Sequence, residues 1–211
     1  LYGLNTLGGA IAIQTKSGRT SQGVALEASA GSWGRKNVSA EYGGVSKDGS
    51  VDYYLGVNYF DENGWRNFSP STVKQTFGKV GWQNESTKID LSYLNVNNDL
   101  IGNGLIPQEL MTGLGREAIH TRPDQTNNYL NQLTLNAAHW LNNDVMLSAN
   151  AYYRRSNQKS LNGDVNDGFC PTGDPNCGGA GEPPINDFQS VFNKTRTRTN
   201  AFGLNAQLAF N

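Results

Sequence analysis

Trp65 and Arg66 are adjacent, and Arg116, His120 and Arg122 follow in one Gly- and polar-rich stretch. Trp and Arg dominate the energetics of many binding surfaces, and Arg grips carboxylates with two parallel hydrogen bonds. These five residues are the candidates for ligand binding; the plainer alternative is arginines that are solvated or paired with Glu62, Glu109 or Asp124. A second basic group, Lys194, Arg196 and Arg198, recurs at period two, so a strand would place all three on one face. Cys170 and Cys177 flank a short polar loop, suited to a local disulfide in an oxidising compartment. His120 and His139 lie apart, with no Cys or carboxylate at ligand spacing, so no metal site is expected. The segment Asp164-Val-Asn-Asp-Gly168 is oxygen-rich but one residue short of a calcium loop, which favours a solvated loop. Gly8-Gly9 opens no Lys-Ser/Thr helix, so it is not a phosphate loop. Without a catalytic constellation the chain reads as a non-enzyme whose chemistry is binding.

The elements that must carry these residues are strands. In 211 residues the net charge is −1, without the basic excess that nucleic acid demands. No apolar run approaches the roughly 18 residues of a membrane helix, which leaves membrane β-barrels open because their strands alternate. Gly is abundant at 25 residues and Asn comparably so, both poor in helix interiors and common in turns. Alternation of period two marks eight strands, at 23–30, 37–45, 51–60, 73–82, 88–96, 129–140, 145–154 and 202–210. The connections at 46–50, 83–87 and 141–144 are tight and carry turn residues. The others, at 31–36, 62–71, 97–128 and 157–198, grow from about six residues to forty-two. Long loops at one end and short turns at the other are the pattern of an up-and-down barrel in an outer membrane. A β-sandwich has no reason to sort its connections that way. One strand face is apolar and ends in rings, Tyr53 with Tyr59 and Phe202 with Phe210, about 15–20 Å apart at ordinary rise and tilt. The other carries Asp52, Asn58, Ser148, Asn150, Arg154, Asn205 and Gln207, which suit a wet lumen.

Residues 1–18 read Leu-Tyr-Gly-Leu-Asn-Thr-Leu-Gly-Gly-Ala-Ile-Ala-Ile-Gln-Thr-Lys-Ser-Gly. Tyr2-Gly3, Gly8-Gly9 and the short apolar strand ending at Thr15 closely resemble the end of the plug domain of TonB-dependent outer-membrane receptors. Thr6 and Ala12 depart from the residues frequent there, without altering the turn chemistry. The stretch from Asn98 to Glu109-Leu110, with Arg116 and Arg122-Pro-Asp124, resembles the long third extracellular loop of such receptors. The stretch 161–167 resembles the loop that follows.

The resemblance implies an all-β chain: residues 1–18 as the end of the plug, and residues 19–211 as about the first eight strands of a larger antiparallel transmembrane barrel. It implies a receptor in the outer membrane of a Gram-negative bacterium, energised through TonB by way of a region upstream. The commonest cargo is a ferric siderophore, with cobalamin, a sugar or another metal chelate as alternatives. A passive porin-like channel and a surface β-sandwich module are the readings outside this family. No cofactor is implied, iron entering only within a transported chelate. The chain ends inside an alternation, Leu208-Ala-Phe-Asn211, and so reads as an internal piece of a longer protein. Such a piece has unpartnered first and last strands, and an open curved sheet is expected rather than a closed barrel. Unbroken parity from Lys194 to Phe210 would turn Lys194, Arg196 and Arg198 outward beside Arg155, where they could meet outer-membrane lipid and the phosphates of lipopolysaccharide. A bulge after Arg198 would instead turn them to the lumen.

Overall fold

In a computed structural model, residues 14–104, 106, 108–165 and 190–210 are described. Cys170, Cys177 and residues 1–13 lie outside them. Eight strands form one antiparallel sheet in chain order: β1 (Gly23–Ala30), β2 (Lys36–Val45), β3 (Val51–Glu62), β4 (Ser71–Gln83), β5 (Thr87–Ile101), β6 (Gln125–Trp140), β7 (Val145–Val165) and β8 (Ser190–Phe210). Each strand pairs with the next, and β1 does not pair with β8, so the sheet is open. Among the described residues there is no second sheet, and the sandwich alternative is removed.

Register sorts the side chains. Val24, Tyr42, Leu55, Gly78, Tyr93, Leu133, Tyr153 and Phe202 lie opposite one another in turn across all eight strands. Their face carries Leu26, Val57, Val80, Leu91, Leu135 and Leu208, and the chain does not cover it: Leu26 is 77% exposed and Phe202 86%. An uncovered apolar face of this extent needs another medium against it. The outward apolar stretch of β1, Val24 to Ala30, is centred three steps past Val24. In β8 it is centred on Ala206, four steps from Phe202 in the opposite sense. The band therefore drifts by about one residue per strand. With about 3.3 Å of rise against about 4.8 Å between strands, that drift means a tilt of about 35°, the inclination of transmembrane barrel strands.

The strands outrun their alternation. β5 continues to Ile101, β6 starts at Gln125, β7 reaches Val165 and β8 begins at Ser190, all inside stretches expected to be loops. Both faces are polar there, so no period-two contrast marks them, yet backbone pairing continues. The β5–β6 connection also holds a short helix, α1 (Gln108–Leu114), which periodicity did not reveal. It ends at Gly115, whose φ of +95° is the left-handed conformation of a helix C-terminus and whose N–H bonds the Met111 carbonyl.

Three connections are tight. In the β2–β3 turn Gly49 supplies a φ of +74°. Asp48 accepts hydrogen bonds from the hydroxyls of Ser46 (2.5 Å) and Ser50 (2.7 Å) and from the Ser50 N–H (3.2 Å). The Ser46 hydroxyl first, then Ser50, holds this carboxyl at about 2, below its ordinary 3.8. A depressed pKa in the folded state means that the turn is fully supported above the unfolded value and loses that support as pH falls toward 2. A carboxyl-carbon NMR titration should place Asp48 near 2 and Ser46→Ala should move it upward; an ordinary value in the parent protein would contradict the turn geometry.

Candidate functional site

The long connections, 63–70 between β3 and β4 and 102–124 between β5 and β6, emerge at the same end of the sheet. Arg66 joins them. Its Nη1 donates to the carbonyls of Asn103 (3.1 Å) and Gly104 (2.8 Å), and its Nη2 to that of Ala118 (2.7 Å). Asn67 N–H donates to the Glu117 carbonyl at 2.8 Å, and Asn103 Nδ2 returns a bond to the Asn67 carbonyl at 3.3 Å. The guanidinium thus meets carbonyl dipoles, no described carboxylate pairs with it, and its positive charge stays unneutralised. No signal in the sequence could have marked this role, because the carbonyls come from distant and chemically ordinary residues.

Around this staple lie the other candidates. Trp65 is half-exposed, its ring 5.9 Å from the Arg66 guanidinium carbon. Arg122 stacks on Phe68 at 4.0 Å, a cation–π contact with both partners open to solvent. Phe68, which holds a φ of +53°, is absent from the sequence-based set. Arg116 is exposed, and His120 is half-buried, with its Nε2 atom lacking a hydrogen-bond partner among the described residues. His139 lies elsewhere, sharing a hydrogen bond with the Thr87 hydroxyl at 2.8 Å.

Two of the acids considered as partners for these arginines are engaged otherwise. Glu62 pairs with Arg35 at 2.9 Å. Asp124, 4% exposed, accepts from the Thr121 hydroxyl and from the N–H groups of Gly104 and Gly163, while its own carbonyl takes the Gly102 N–H. It ties both ends of the 102–124 loop to the end of β7. The Glu109 side chain lies outside the description. The assembled surface therefore offers aromatic side chains and cations on a braced pair of loops.

The period-two cations lie elsewhere. From Val145–Phe210 to Val165–Ser190 the β7–β8 ladder advances without a bulge. Lys194, Arg196 and Arg198 thus share the outward face of Phe202 and Leu204, and Arg155, opposite Asn200, joins them there.

No family model and no curated protein matches this sequence. Solved structures do: the ferric-catecholate import receptor Fiu from E. coli K12 matches in its closed form, with a TM-score of 0.66 at 16% identity, over 92% of this chain and 29% of that one. Its open form matches with a TM-score of 0.66 at 15% identity, over 92% of this chain and 32% of that one. The fold is that of part of a receptor barrel. The chain spans about a third of the length of these structures.

Proposed function

We propose that this chain is barrel wall from a TonB-dependent outer-membrane receptor that imports a ferric siderophore. The observation that carries this reading is the single-register sheet. Its apolar outward band has membrane tilt, its opposite face is polar, and its long loops gather at one end. Likeness in fold to a ferric-catecholate import receptor supports the class. In this reading residues 1–18 are the exit of a plug and residues 19–211 the barrel. The TonB complex acts through the plug and the region before it. The long-loop end faces outside the cell, and Trp65, Phe68, Arg116, His120 and Arg122 meet the anionic chelate there, braced by Arg66.

Deleting the gene tests this. Uptake of iron-55 on defined siderophores should fall to background for at least one chelate, and to the same level when TonB is removed. Uptake that persists without TonB would make the barrel a passive channel. A defect confined to cobalamin or a sugar would reassign the cargo.

A further inference from the structure

The outward face of β7 and β8 continues past the apolar band toward the long-loop end, and it is basic. Register places Lys159 directly opposite Arg196 and Leu161 opposite Lys194. Arg198 faces Asn157, whose Oδ1 accepts from Arg196 Nε at 3.4 Å. Like charges opposed across a strand pair repel, with Cβ atoms about 5 Å apart. No ion pair to a described residue relieves Arg155, Lys159, Lys194, Arg196 or Arg198, and all five are exposed. Asp99 of β5 is the nearest outward carboxylate along the rows, and it accepts from Gln125 Nε2 at 2.6 Å. Gln125, Asn127, Lys159, Leu161, Lys194 and Arg196 line a shallow groove of about 290 Å³ between these strands.

We infer that this groove binds the phosphate groups of lipopolysaccharide. The inference rests on the outer-membrane reading above. Lys194 to Arg198 stand about 10–20 Å beyond Phe202 at the strand rise and tilt. That height is above the hydrocarbon on the outer side, where the lipid that touches a barrel wall presents its phosphates. Opposed cations that destabilise a bare strand pair become favourable once an anion sits between them, through charge-assisted bonds to the Arg forks and the Lys ammonium groups. Leu161 and the apolar band below offer the adjoining surface for acyl chains.

The test uses the whole protein purified in mild detergent from outer membranes, with bound lipid A assayed per mole. Lys159→Gln, Lys194→Gln, Arg196→Gln and Arg198→Gln together should lower retained lipid A at least about tenfold. Should the fourfold variant fail to assemble, Lys159→Gln with Lys194→Gln serves, and it should lower retention severalfold. Arg154→Gln, of opposite parity on β7, should retain the parent amount. Bisphosphorylated lipid A should rebind to the stripped protein, whereas its dephosphorylated form should not. Undiminished retention in the basic variants, equal rebinding of both lipids, or equal loss from Arg154→Gln would each overturn the inference. Iron-55 uptake in the same strains separates the two claims. Lost lipid retention with normal uptake is the result expected here; normal retention in the basic variants overturns the inference whatever the uptake, and uptake that survives deletion of the gene counts against the siderophore reading alone.

Discussion

Asp52→Ala is expected to cost the protein about 3–5 kcal/mol, the range for stranding one partner of a buried ion pair. Asp52 is 2% exposed although it sits on the polar face of β3, because residues 17–21 fold over it. Its Oδ1 lies 2.9 Å from Arg19 Nε, and its Oδ2 accepts the Gly18 N–H at 3.1 Å. The Arg19 approach is off the N–H axis, so the contact is an ion pair rather than a directed hydrogen bond. Arg19 is also held by the Ser50 carbonyl at 3.2 Å. The fit admits no extra atoms: a side chain at Gly18 would strike the Gly44 carbonyl and the Tyr53 backbone, and one at Gly81 would strike the Asp52 carboxylate. With Asp52 gone, the Arg19 charge keeps only the Ser50 carbonyl and the Gly18 N–H loses its acceptor, so the desolvation of both is poorly offset. The denaturant midpoint should fall at unchanged m, and trypsin should gain access at Lys16 and Arg19. Pairing Arg19→Met with Asp52→Leu should recover much of the loss, since neither charge is then stranded. A loss below about 1 kcal/mol would mean that water screens the pair as at an open surface. In the receptor reading this is the joint between plug and barrel wall, seconded by Lys16 and Glu41 at 2.6 Å.

The contrast between Asp52 and Lys159 shows what the residues alone could convey. Alternation located all eight strands, because a face covered by an apolar medium and a face covered by water leave opposite side chains at successive positions. The outward parity of Lys194, Arg196 and Arg198 was legible for the same reason, given a ladder without a bulge. Polarity located Asp52 on the inner face, but nothing nearby in sequence announces the turn that buries it. Lys159 sits in Ser-Asn-Gln-Lys-Ser, without contrast between its two faces. Only the pairing with Arg196 gives it a role. The same blindness shortened β5 to β8, and it left Trp65, Arg66 and Arg122 as a plausible set of residue types without an arrangement.

Arg66→Ala is expected to unfasten the two long loops and, through them, to weaken ligand binding by about tenfold or more. Bonds from a charged donor are worth about 1.5–3 kcal/mol each. Arg66 makes three, to Asn103, Gly104 and Ala118, and Ala leaves those carbonyls to find water or other partners. The 63–70 loop would then hold the 102–124 loop through Asn67 and the Phe68–Arg122 stack. Amide exchange at Asn67, whose N–H reaches the Glu117 carbonyl, should accelerate by about a hundredfold. Exchange at Gly102, held by the Asp124 carbonyl, should change little. Arg66→Lys should not restore protection, because a point charge on a flexible stem cannot serve three carbonyls in two directions. Arg122→Ala should behave in the opposite way, lowering affinity while Asn67 stays protected, because Arg122 lies at the open surface over Phe68. Should Arg66→Ala abolish binding with Asn67 exchange unmoved, Arg66 would be a direct ligand contact, and the bracing role would be wrong. The affinity change would otherwise follow from order rather than touch, since loops fixed before binding spare the ligand the cost of fixing them.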